Sequence, residues 1–255
     1  MIELNGKIVI ITGGAGGIGA AAAEIFAKAG ARLSIVDLDA VRGEALAKKL
    51  GARFFKCDVS SPEEVKAVLG NFDRIDVIYN NAGVYLPGRD GRITDIDEAV
   101  WEKVLAINLR SVFLFCKYGI PLMMKHGGSI INTASSAGMI GIPGCDAYTA
   151  TKGAIVQLTK SLAAEYGRYN IRTNCISPAA IMTPMVRQSN LDDETFDAES
   201  FLKLRTPLRR FGTPEEVAQV ALFLASDAAS YLNGAVIATD GGITINGDLS
   251  KIKRD

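Results

Sequence analysis

Short runs of apolar residues alternate with longer segments of helical periodicity along the chain. The first run, residues 7–12, leads into a glycine cluster, and a helical pattern follows over residues 18–29. Runs that are apolar throughout and separated by helices are typical of parallel strands, because both faces of such a sheet are covered. The other predicted strands are residues 32–37, 53–57, 75–79, 129–133, 171–176 and 235–239.

Start signals mark two of the helices between these strands. Residues 61–64 read Ser-Pro-Glu-Glu, and residues 213–216 read Thr-Pro-Glu-Glu. Each combines a capping hydroxyl, a first-turn proline and acids at the positive end of a helix. The other predicted helices are residues 40–50, 97–125 and 148–166.

Seven strands joined through helices predict an α/β fold, namely a doubly wound parallel sheet with helices on both faces, of Rossmann-like type. A closed eight-stranded barrel is the alternative, but the strand count and the glycine-rich first turn argue against it. The length of 255 residues fits one large domain, and the sequence contains no internal repeat or linker. We therefore expect a single domain over residues 1–255.

Composition restricts the partners. Basic and acidic residues number 28 each, so the net charge is near zero and neither a nucleic-acid nor a membrane partner is expected. The start of the chain lacks signal-peptide features, and no apolar stretch reaches the roughly 18 residues of a membrane span. Four scattered cysteines without a Cys-x-x-Cys pair favour reduced thiols in the cytoplasm. With one histidine, His126, we expect no metal site.

The turn after the first strand has the composition of a phosphate-binding loop. Residues 12–19 read Thr-Gly-Gly-Ala-Gly-Gly-Ile-Gly and precede a helix. Residues without a Cβ let the backbone approach a pyrophosphate, and the helix N-terminus offers unpaired N–H groups and a partial positive charge. A tight turn without a ligand is the alternative. The predicted dinucleotide contacts are Gly13, Gly16, Gly17, Ile18 and Gly19.

An acidic residue, Asp37, ends the second predicted strand, eighteen residues beyond Gly19. A carboxylate at this position accepts hydrogen bonds from ribose hydroxyls and repels a 2′-phosphate, which favours NAD(H) over NADP(H). The nearby Arg32 and Arg42 stand at places less suited to hold that phosphate. Asp37 is also in a position to cap the next helix, and the two roles are compatible.

Three side chains that suit proton transfer are predicted at the edge of the sheet where the cofactor lies. Tyr148 and Lys152 share one helix face at i and i+4, and Ser135 follows the fifth strand. A nearby ammonium favours the phenolate and lowers a phenol pKa of about 10. Hydride transfer needs a proton carrier, here Tyr148, and a group that holds the substrate oxygen, here Ser135. Tyr-x-x-x-Lys alone is more often a surface pair.

With these motifs in order, the sequence resembles the short-chain dehydrogenase/reductase family over nearly its whole length. Residues 12–19 match the family's Thr-Gly-x-x-x-Gly-x-Gly motif, and residues 80–83 match Asn-Asn-Ala-Gly. Residues 240–242, Asp-Gly-Gly, match the usual end of the last strand. One departure is Pro178-Ala179, where the family commonly has Pro-Gly.

The resemblance implies a catalytic tetrad of Asn108, Ser135, Tyr148 and Lys152. In the family, the asparagine kinks its helix and holds a water in a proton relay to the lysine. The tyrosine and the lysine also bond the nicotinamide ribose. The further implied cofactor contacts are Asp58 at the adenine amino group, Thr183 at the carboxamide, and Val59, Asn81, Ala82, Gly83, Pro178 and Ile181.

The implied activity is NAD(H)-dependent hydride transfer between nicotinamide and a secondary alcohol or ketone. A 3-oxoacyl thioester (acyl carrier protein) reductase is the alternative within the class. Asp37 argues against it, because such reductases usually resemble NADP(H) users. A non-catalytic dinucleotide-binding sensor or subunit is the alternative from another class, and the intact tetrad argues against it.

Two further segments point to substrate and subunit contacts. Residues 181–212 carry methionines and aromatics among charged residues, so we expect a substrate lid, with a pair of surface helices as the alternative. The predicted helix 97–125 has few charges after Asn108, which suggests a buried subunit contact. The resemblance implies a homotetramer or dimer built through this helix and residues 148–166.

Overall fold

A parallel sheet of seven strands crosses the part of the chain that the structure, a computed structural model, describes: residues 2–187, 197, 202 and 204–245. The strand order is β3-β2-β1-β4-β5-β6-β7, so the chain changes direction across the sheet between β1 and β4. The strands are β1 (Ile8–Thr12), β2 (Arg32–Asp37), β3 (Arg53–Lys56), β4 (Val77–Asn80), β5 (Gly128–Thr133), β6 (Ile171–Pro178) and β7 (Val236–Thr239).

The predicted fold class is confirmed. Each of the seven predicted strands is present, and its ends lie within two residues of the predicted ones. All neighbouring strands pair in parallel, and the sheet is open at β3 and β7, so the eight-stranded barrel is excluded. The described residues form a single Rossmann-like domain.

Helices cover both faces of this sheet, and the predicted start signals are confirmed. The Ser61 side chain accepts a hydrogen bond from the Glu64 N–H, and Thr213 forms a capping box with Glu216. Among the described helices, none is long and apolar enough to cross a membrane. The helices are α1 (Gly17–Lys28), α2 (Ala40–Leu50), α3 (Pro62–Leu69), α4 (Glu98–Leu105), α5 (Ser111–Gly119), α6 (Asp146–Tyr166), α7 (Pro184–Val186) and α8 (Pro214–Ala225).

The helix predicted over residues 97–125 is not regular. It passes from α4 through a π-helical segment, Ala106–Arg110, into α5, and ends in a 3-10 turn at Ile120–Leu122. The residue pattern predicts one continuous helix, because composition does not distinguish π- from α-helical turns. The family resemblance implies a kink at Asn108, and the π segment lies there. The π segment contains Asn108, and π-helical turns frequently lie at functional sites.

The core consists of two apolar layers, one on each face of the sheet. Along β1, Val9 and Ile11 point into one layer and Ile10 into the other, as the alternation of a strand requires. Helices α1 and α8 cover the first layer, and α3, α5 and α6 cover the second. This rigid double layer holds the carboxyl ends of the strands in place, and the site is built there.

Candidate active site

The turns that follow β1 and β4 are locked together at the point where the strand order reverses. The hydroxyl oxygen of Thr12 accepts hydrogen bonds from the N–H groups of Asn81 (3.0 Å) and Ala82 (3.1 Å). The Asn81 amide in turn donates to the carbonyl oxygens of Thr12 (3.2 Å) and Gly13 (3.1 Å). A crevice opens at such a reversal, since the chain leaves the two strands in opposite directions.

This crevice is a cleft of about 540 Å³, a volume in the range of ligand-binding pockets. It extends from the glycine turn, past the ends of β4 and β5, to the start of α6 and the exit of β6. The predicted cofactor contacts that line it are Gly13, Gly16, Gly17, Ile18, Asp37, Asp58, Val59, Asn81, Ala82, Gly83, Tyr148, Lys152, Pro178, Ile181 and Thr183.

Two glycines of the first turn have different tasks. Gly13 lines the cleft with φ +64°, and a Cβ there would lie 2.8 Å from the Ala82 Cα atom. Gly19 does not line the cleft. A Cβ on Gly19 would overlap the Gly13 carbonyl oxygen, so its absence lets α1 pack against the turn. Gly19 is thus a packing residue of this turn, and its role as a cofactor contact stays a prediction.

The Asp37 carboxylate is fixed beside the glycine turn. Its Oδ2 atom accepts a hydrogen bond from the Ala15 N–H (2.9 Å), and its Oδ1 atom accepts one from the Asp39 N–H (3.0 Å). The option of Asp37 as a helix cap is not realised, because Asp39 caps α2 through the Arg42 N–H. Asp37 therefore faces the cleft as a hydrogen-bond acceptor beside the turn.

The two arginines near Asp37 differ in position. Arg32 begins β2 and lies outside the cleft, whereas Arg42 lines it. The Arg42 Nη1 atom lies 3.7 Å from the place of a Cβ on Gly16, and its Nε atom donates to Asp39 (2.6 Å). The positive charge of Arg42, paired with the partly exposed carboxylate of Asp39, thus lies at the nucleotide end of the cleft.

Tyr148, Lys152 and Ser135 meet at the other end. Tyr148 lies in the first turn of α6, and both Tyr148 and Ser135 line this end of the cleft. One turn further, the Lys152 ammonium donates to the carbonyl oxygen of Thr133 (2.9 Å) and lies 5.4 Å from the centroid of the Tyr148 ring. Lys152 is only 3% exposed, so the alternative of a surface pair is excluded.

Burial controls the ionisation of this pair. It raises the pKa of Tyr148 to about 12, because a buried phenolate loses its hydration, while the nearby Ser135 side chain acts in the opposite direction. Burial also lowers the pKa of Lys152 to about 8. The expectation of a lowered phenol pKa is therefore wrong for the protein alone, because desolvation is the largest influence on the phenol.

Asn108 lies behind the cleft and is fully buried. Its Oδ1 atom accepts from the Val84 N–H (2.7 Å), and its Nδ2 group donates to the Val84 carbonyl (2.9 Å) and to the Thr151 hydroxyl (3.3 Å). A Cβ on Gly83 would lie 3.4 Å from both the Asn108 Oδ1 atom and the Lys152 ammonium. Asn108 and Lys152 thus flank Gly83, and all members of the predicted tetrad lie in one region.

A family model described as enoyl-(acyl carrier protein) reductase matches residues 13–244, which include every part of this site. The chain belongs to the short-chain dehydrogenase/reductase family.

Several of the proteins that it resembles are named as dehydrogenases or reductases. The 2,5-dichloro-2,5-cyclohexadiene-1,4-diol dehydrogenase of Sphingobium indicum is 38% identical over 252 residues, covering 96% of this chain and 99% of the relative. D-threitol dehydrogenase of Mycolicibacterium smegmatis is 41% identical over 255 residues, covering 95% of each chain. The structure of levodione reductase matches with a TM-score of 0.88 and 39% identity, over 95% of this chain and 99% of that one. The protein is an oxidoreductase that acts on CH–OH groups with a nicotinamide cofactor.

Three polar residues of this dehydrogenase/reductase site were missed at the level of sequence. Thr12, part of the recognised motif, joins the two turns. The Ser177 hydroxyl donates to the Ser135 carbonyl (2.6 Å). The sequence signal for Ser177 was its position directly before Pro178, a predicted cofactor contact. The Asp90 carboxylate accepts from the Tyr148 N–H (2.9 Å), and no sequence signal connects residues 58 positions apart.

The predicted lid is described in part. Its two ends are joined where Ile181 pairs with Gly212, and α7 with its preceding Thr183 lines the cleft. Met185, one of the expected apolar lid residues, lies on that wall. Leu191, Phe196 and Phe201 lie outside the described residues.

Proposed function

We propose that this protein is an NAD(H)-dependent dehydrogenase/reductase that interconverts a small secondary alcohol and its ketone, with Tyr148 as acid and base. The observation that carries the proposal is the position of the Tyr148 phenol. It lines the nucleotide cleft together with Ser135, and the buried Lys152 ammonium lies 5.4 Å from its ring centroid.

The cleft fits a dinucleotide. Gly13 and Gly17 have positive φ values of 64° and 51°, which open backbone surface to a pyrophosphate, and Gly17 is the first residue of α1. A nicotinamide bound at the far end supplies the acceptor or donor of the hydride. The roles at the adenine amino group for Asp58 and at the carboxamide for Thr183 are part of this proposal.

The chain's own residues handle the proton. Ser135 holds the substrate oxygen by a hydrogen bond, and Tyr148 takes up or returns the proton of that oxygen. Because burial raises the pKa of Tyr148 to about 12, the phenolate needs compensating positive charge. Lys152 supplies it from one helical turn away, and we assign Asn108 to the proton relay behind Lys152.

Replacing Tyr148 tests this mechanism. In Tyr148→Phe we expect kcat to fall about 10³-fold, the size of a lost general acid–base step, while the dissociation constant of NAD changes little. The wild-type substrate comes from a screen of secondary alcohols, polyols and 3-hydroxyacyl compounds, with NADH absorbance as the readout. Tight NAD binding without NADH formation from any of them would favour the sensor alternative, and full activity of Tyr148→Phe would refute the mechanism.

The preference for NAD(H) is based on Asp37. Its carboxylate, fixed by the Ala15 N–H, stands where a 2′-phosphate would meet a like charge. The positive charge of Arg42 offsets this repulsion of a 2′-phosphate only in part, since Arg42 is paired with Asp39. We expect kcat/KM to be at least about tenfold higher with NAD than with NADP, as one like-charge contact of 1.4 kcal/mol would give.

Two variants separate these charges. Asp37→Ala should reduce the NAD preference, and Arg42→Ala should increase it, as measured by kcat/KM with both cofactors. A wild-type enzyme faster with NADP than with NAD would contradict the proposal and favour the 3-oxoacyl thioester reductase alternative.

We further propose that residues 181–212 form the substrate lid. Thr183 and Met185 line the cleft, and the pairing of Ile181 with Gly212 fixes both ends of the segment. Met185→Ala should raise KM for the alcohol more than the dissociation constant of NAD. An unchanged KM would favour the alternative of ordinary surface helices.

A homotetramer or dimer through α5 and α6 completes the proposal. Phe113 on α5 is 48% exposed within one chain, beside the buried face of the same helix. An exposed aromatic side chain on such a helix is suited to cover by a second copy. Light scattering should give a multiple of the 27.1 kDa chain mass, and Phe113→Glu should lower it.

A further inference from the structure

Helix α6, which carries Tyr148, begins without a cap of its own. Cys145 occupies the capping position, but its side chain accepts no hydrogen bond from the backbone N–H groups of the first turn. The acceptor comes instead from Asp90, in the loop between β4 and α4. Its Oδ1 atom accepts from the Ala147 N–H (3.1 Å) and its Oδ2 atom from the Tyr148 N–H (2.9 Å).

We propose that Asp90 is a positioning residue for Tyr148: its carboxylate caps the first turn of α6 from a distant loop and so fixes the phenol at the end of the cleft. The inference rests on the proposed role of Tyr148 as acid and base. Asp90 acts through the backbone of α6 and is not itself a catalytic residue.

The first N–H groups of a helix have no partner within the helix. In α6, two of them belong to Ala147, which is fully buried, and to Tyr148. Asp90 is itself only 5% exposed, so water is a poor substitute for its carboxylate. A negative charge at this end also interacts favourably with the helix dipole. Without Asp90, the turn that carries the phenol would lose both acceptors at once.

The same loop contacts Tyr148 from a second side. The ring of Tyr85 packs edge-on against the Tyr148 ring, with the centroids 5.5 Å apart. Leu86 packs against a small apolar cluster that includes Ala147. The Asp90 N–H donates to the Leu86 carbonyl (2.8 Å), so the carboxylate is held in the same turn. The loop therefore confines Tyr148 through both its backbone and its ring.

A matched control exists at the same junction. The Asp146 carboxylate accepts from the Ile93 N–H (2.8 Å), which also ties this loop to the start of α6. It makes no bond to the Tyr148 amide. Asp146→Ala therefore removes a carboxylate and a loop–helix hydrogen bond similar in length to those of Asp90. It leaves the N–H groups of Ala147 and Tyr148 capped by Asp90.

The test compares Asp90→Ala, Asp90→Asn and Asp146→Ala in the full-length enzyme. We expect Asp90→Ala to lower kcat about 10- to 100-fold, the size of effect that misplacing a reacting group produces, with the dissociation constant of NAD within about twofold of wild type. Asp90→Asn keeps one acceptor oxygen and should recover part of kcat. Asp146→Ala should change kcat less than threefold.

Amide hydrogen exchange reports the same cap directly. In Asp90→Ala, the Tyr148 N–H should exchange faster than in wild type, while amides in the middle of α6 remain protected. If Asp90→Ala does not fold, Asp90→Asn carries the comparison. Equal kcat in Asp90→Ala and Asp146→Ala, or a kcat loss matched by an equal loss of NAD affinity, would overturn the positioning role.

The outcome also separates this inference from the proposed function. If Tyr148→Phe is inactive and Asp90→Ala is as active as wild type, only the positioning role fails. If Tyr148→Phe retains full activity, the proposed mechanism fails, and the exchange rate of the Tyr148 amide still decides whether Asp90 caps the helix.

Discussion

The two ends of the cleft are built in different ways. At the nucleotide end, the glycine turn, the start of α1 and Asp37 follow one another within residues 12–37, and Asp37 bonds directly to the Ala15 N–H. At the catalytic end, the partners come from distant parts of the chain. Asp90 bonds the Tyr148 amide, and Ser177 bonds the Ser135 carbonyl across 42 positions.

The nucleotide end of the cleft depends on the shape of the backbone, whereas the catalytic end depends on the position of side chains. The nucleotide end depends on a turn that leaves room for a pyrophosphate, so its requirements are absent Cβ atoms and a free helix terminus. The catalytic end depends on a phenol at one fixed place, which several segments must hold together. Substitutions should therefore act through steric overlap at the first end and through charge and positioning at the second.

The largest expected effect is steric, at the nucleotide end. In Gly19→Ala the new methyl group would overlap the carbonyl oxygen of Gly13. Because backbone is not free to move aside as a side chain is, we expect a loss of about 3 kcal/mol in the free energy of unfolding. Urea denaturation without cofactor measures it.

Gly16→Ala is the matched control in the same turn. Gly16 has φ −156°, which any residue adopts, and the atom nearest to a Cβ there is the Arg42 side chain at 3.7 Å. We expect its stability to stay within about 0.5 kcal/mol of wild type, as at unconstrained positions, while NAD affinity falls. Equal stability losses in both variants would contradict the assignment of helix packing to Gly19 and of cofactor binding to Gly16.

The second effect is electrostatic, at the catalytic end, and has the opposite sign. Burial lowers the pKa of Lys152 from 10.5 to about 8, which costs about 3 kcal/mol at neutral pH, at about 1.4 kcal/mol per unit. Replacing Lys152 also removes its hydrogen bond to the Thr133 carbonyl, a loss of about 1 kcal/mol of stability. Lys152→Met should therefore be about 2 kcal/mol more stable at pH 7, with activity lost.

The pH dependence distinguishes charge burial from packing. Between pH 8 and 10.5 the unfolded chain binds more protons at Lys152 than the folded protein, so wild-type stability rises with pH in this window. The stability advantage of Lys152→Met should shrink accordingly, vanish at about pH 10, and become a deficit of up to about 1 kcal/mol at higher pH, where only the lost hydrogen bond remains. The raised pKa of Tyr148 lowers stability above pH 10 in both proteins alike. Lys160→Met, which removes an exposed lysine from α6, should show no such trend.

The same division explains what could be predicted from sequence. Strand positions and the first turn follow from apolar runs and residue spacing, which are local properties. The π segment at Ala106–Arg110 has no compositional signature, and the cap from Asp90 depends on a contact between distant segments. The direction of the pKa shift of Tyr148 was missed because burial is a property of the fold and not of the Tyr-x-x-x-Lys spacing.

The smallest effect concerns backbone strain where the two ends meet, at the exit of β6. Ala180 lines the cleft with φ +50°, a left-handed conformation that costs a residue with a Cβ about 1–2 kcal/mol. The bond from the Gly212 N–H to the Ala180 carbonyl (2.9 Å) holds it there. Ala180→Gly removes this strain but adds about 0.5–1 kcal/mol of unfolded-state entropy. We expect a net gain of about 0.5 kcal/mol, measured by urea denaturation.

Ala179→Gly is the control for this variant, since Ala179 has no positive φ and its change to glycine adds the entropy without relieving strain. It should lose about 0.5–1 kcal/mol. Opposite signs for these neighbouring substitutions would locate the strain at Ala180, beside the cleft. Equal losses would instead mean that Gly212 holds position 180 without strain, so that the exit of β6 is as relaxed as the rest of the sheet.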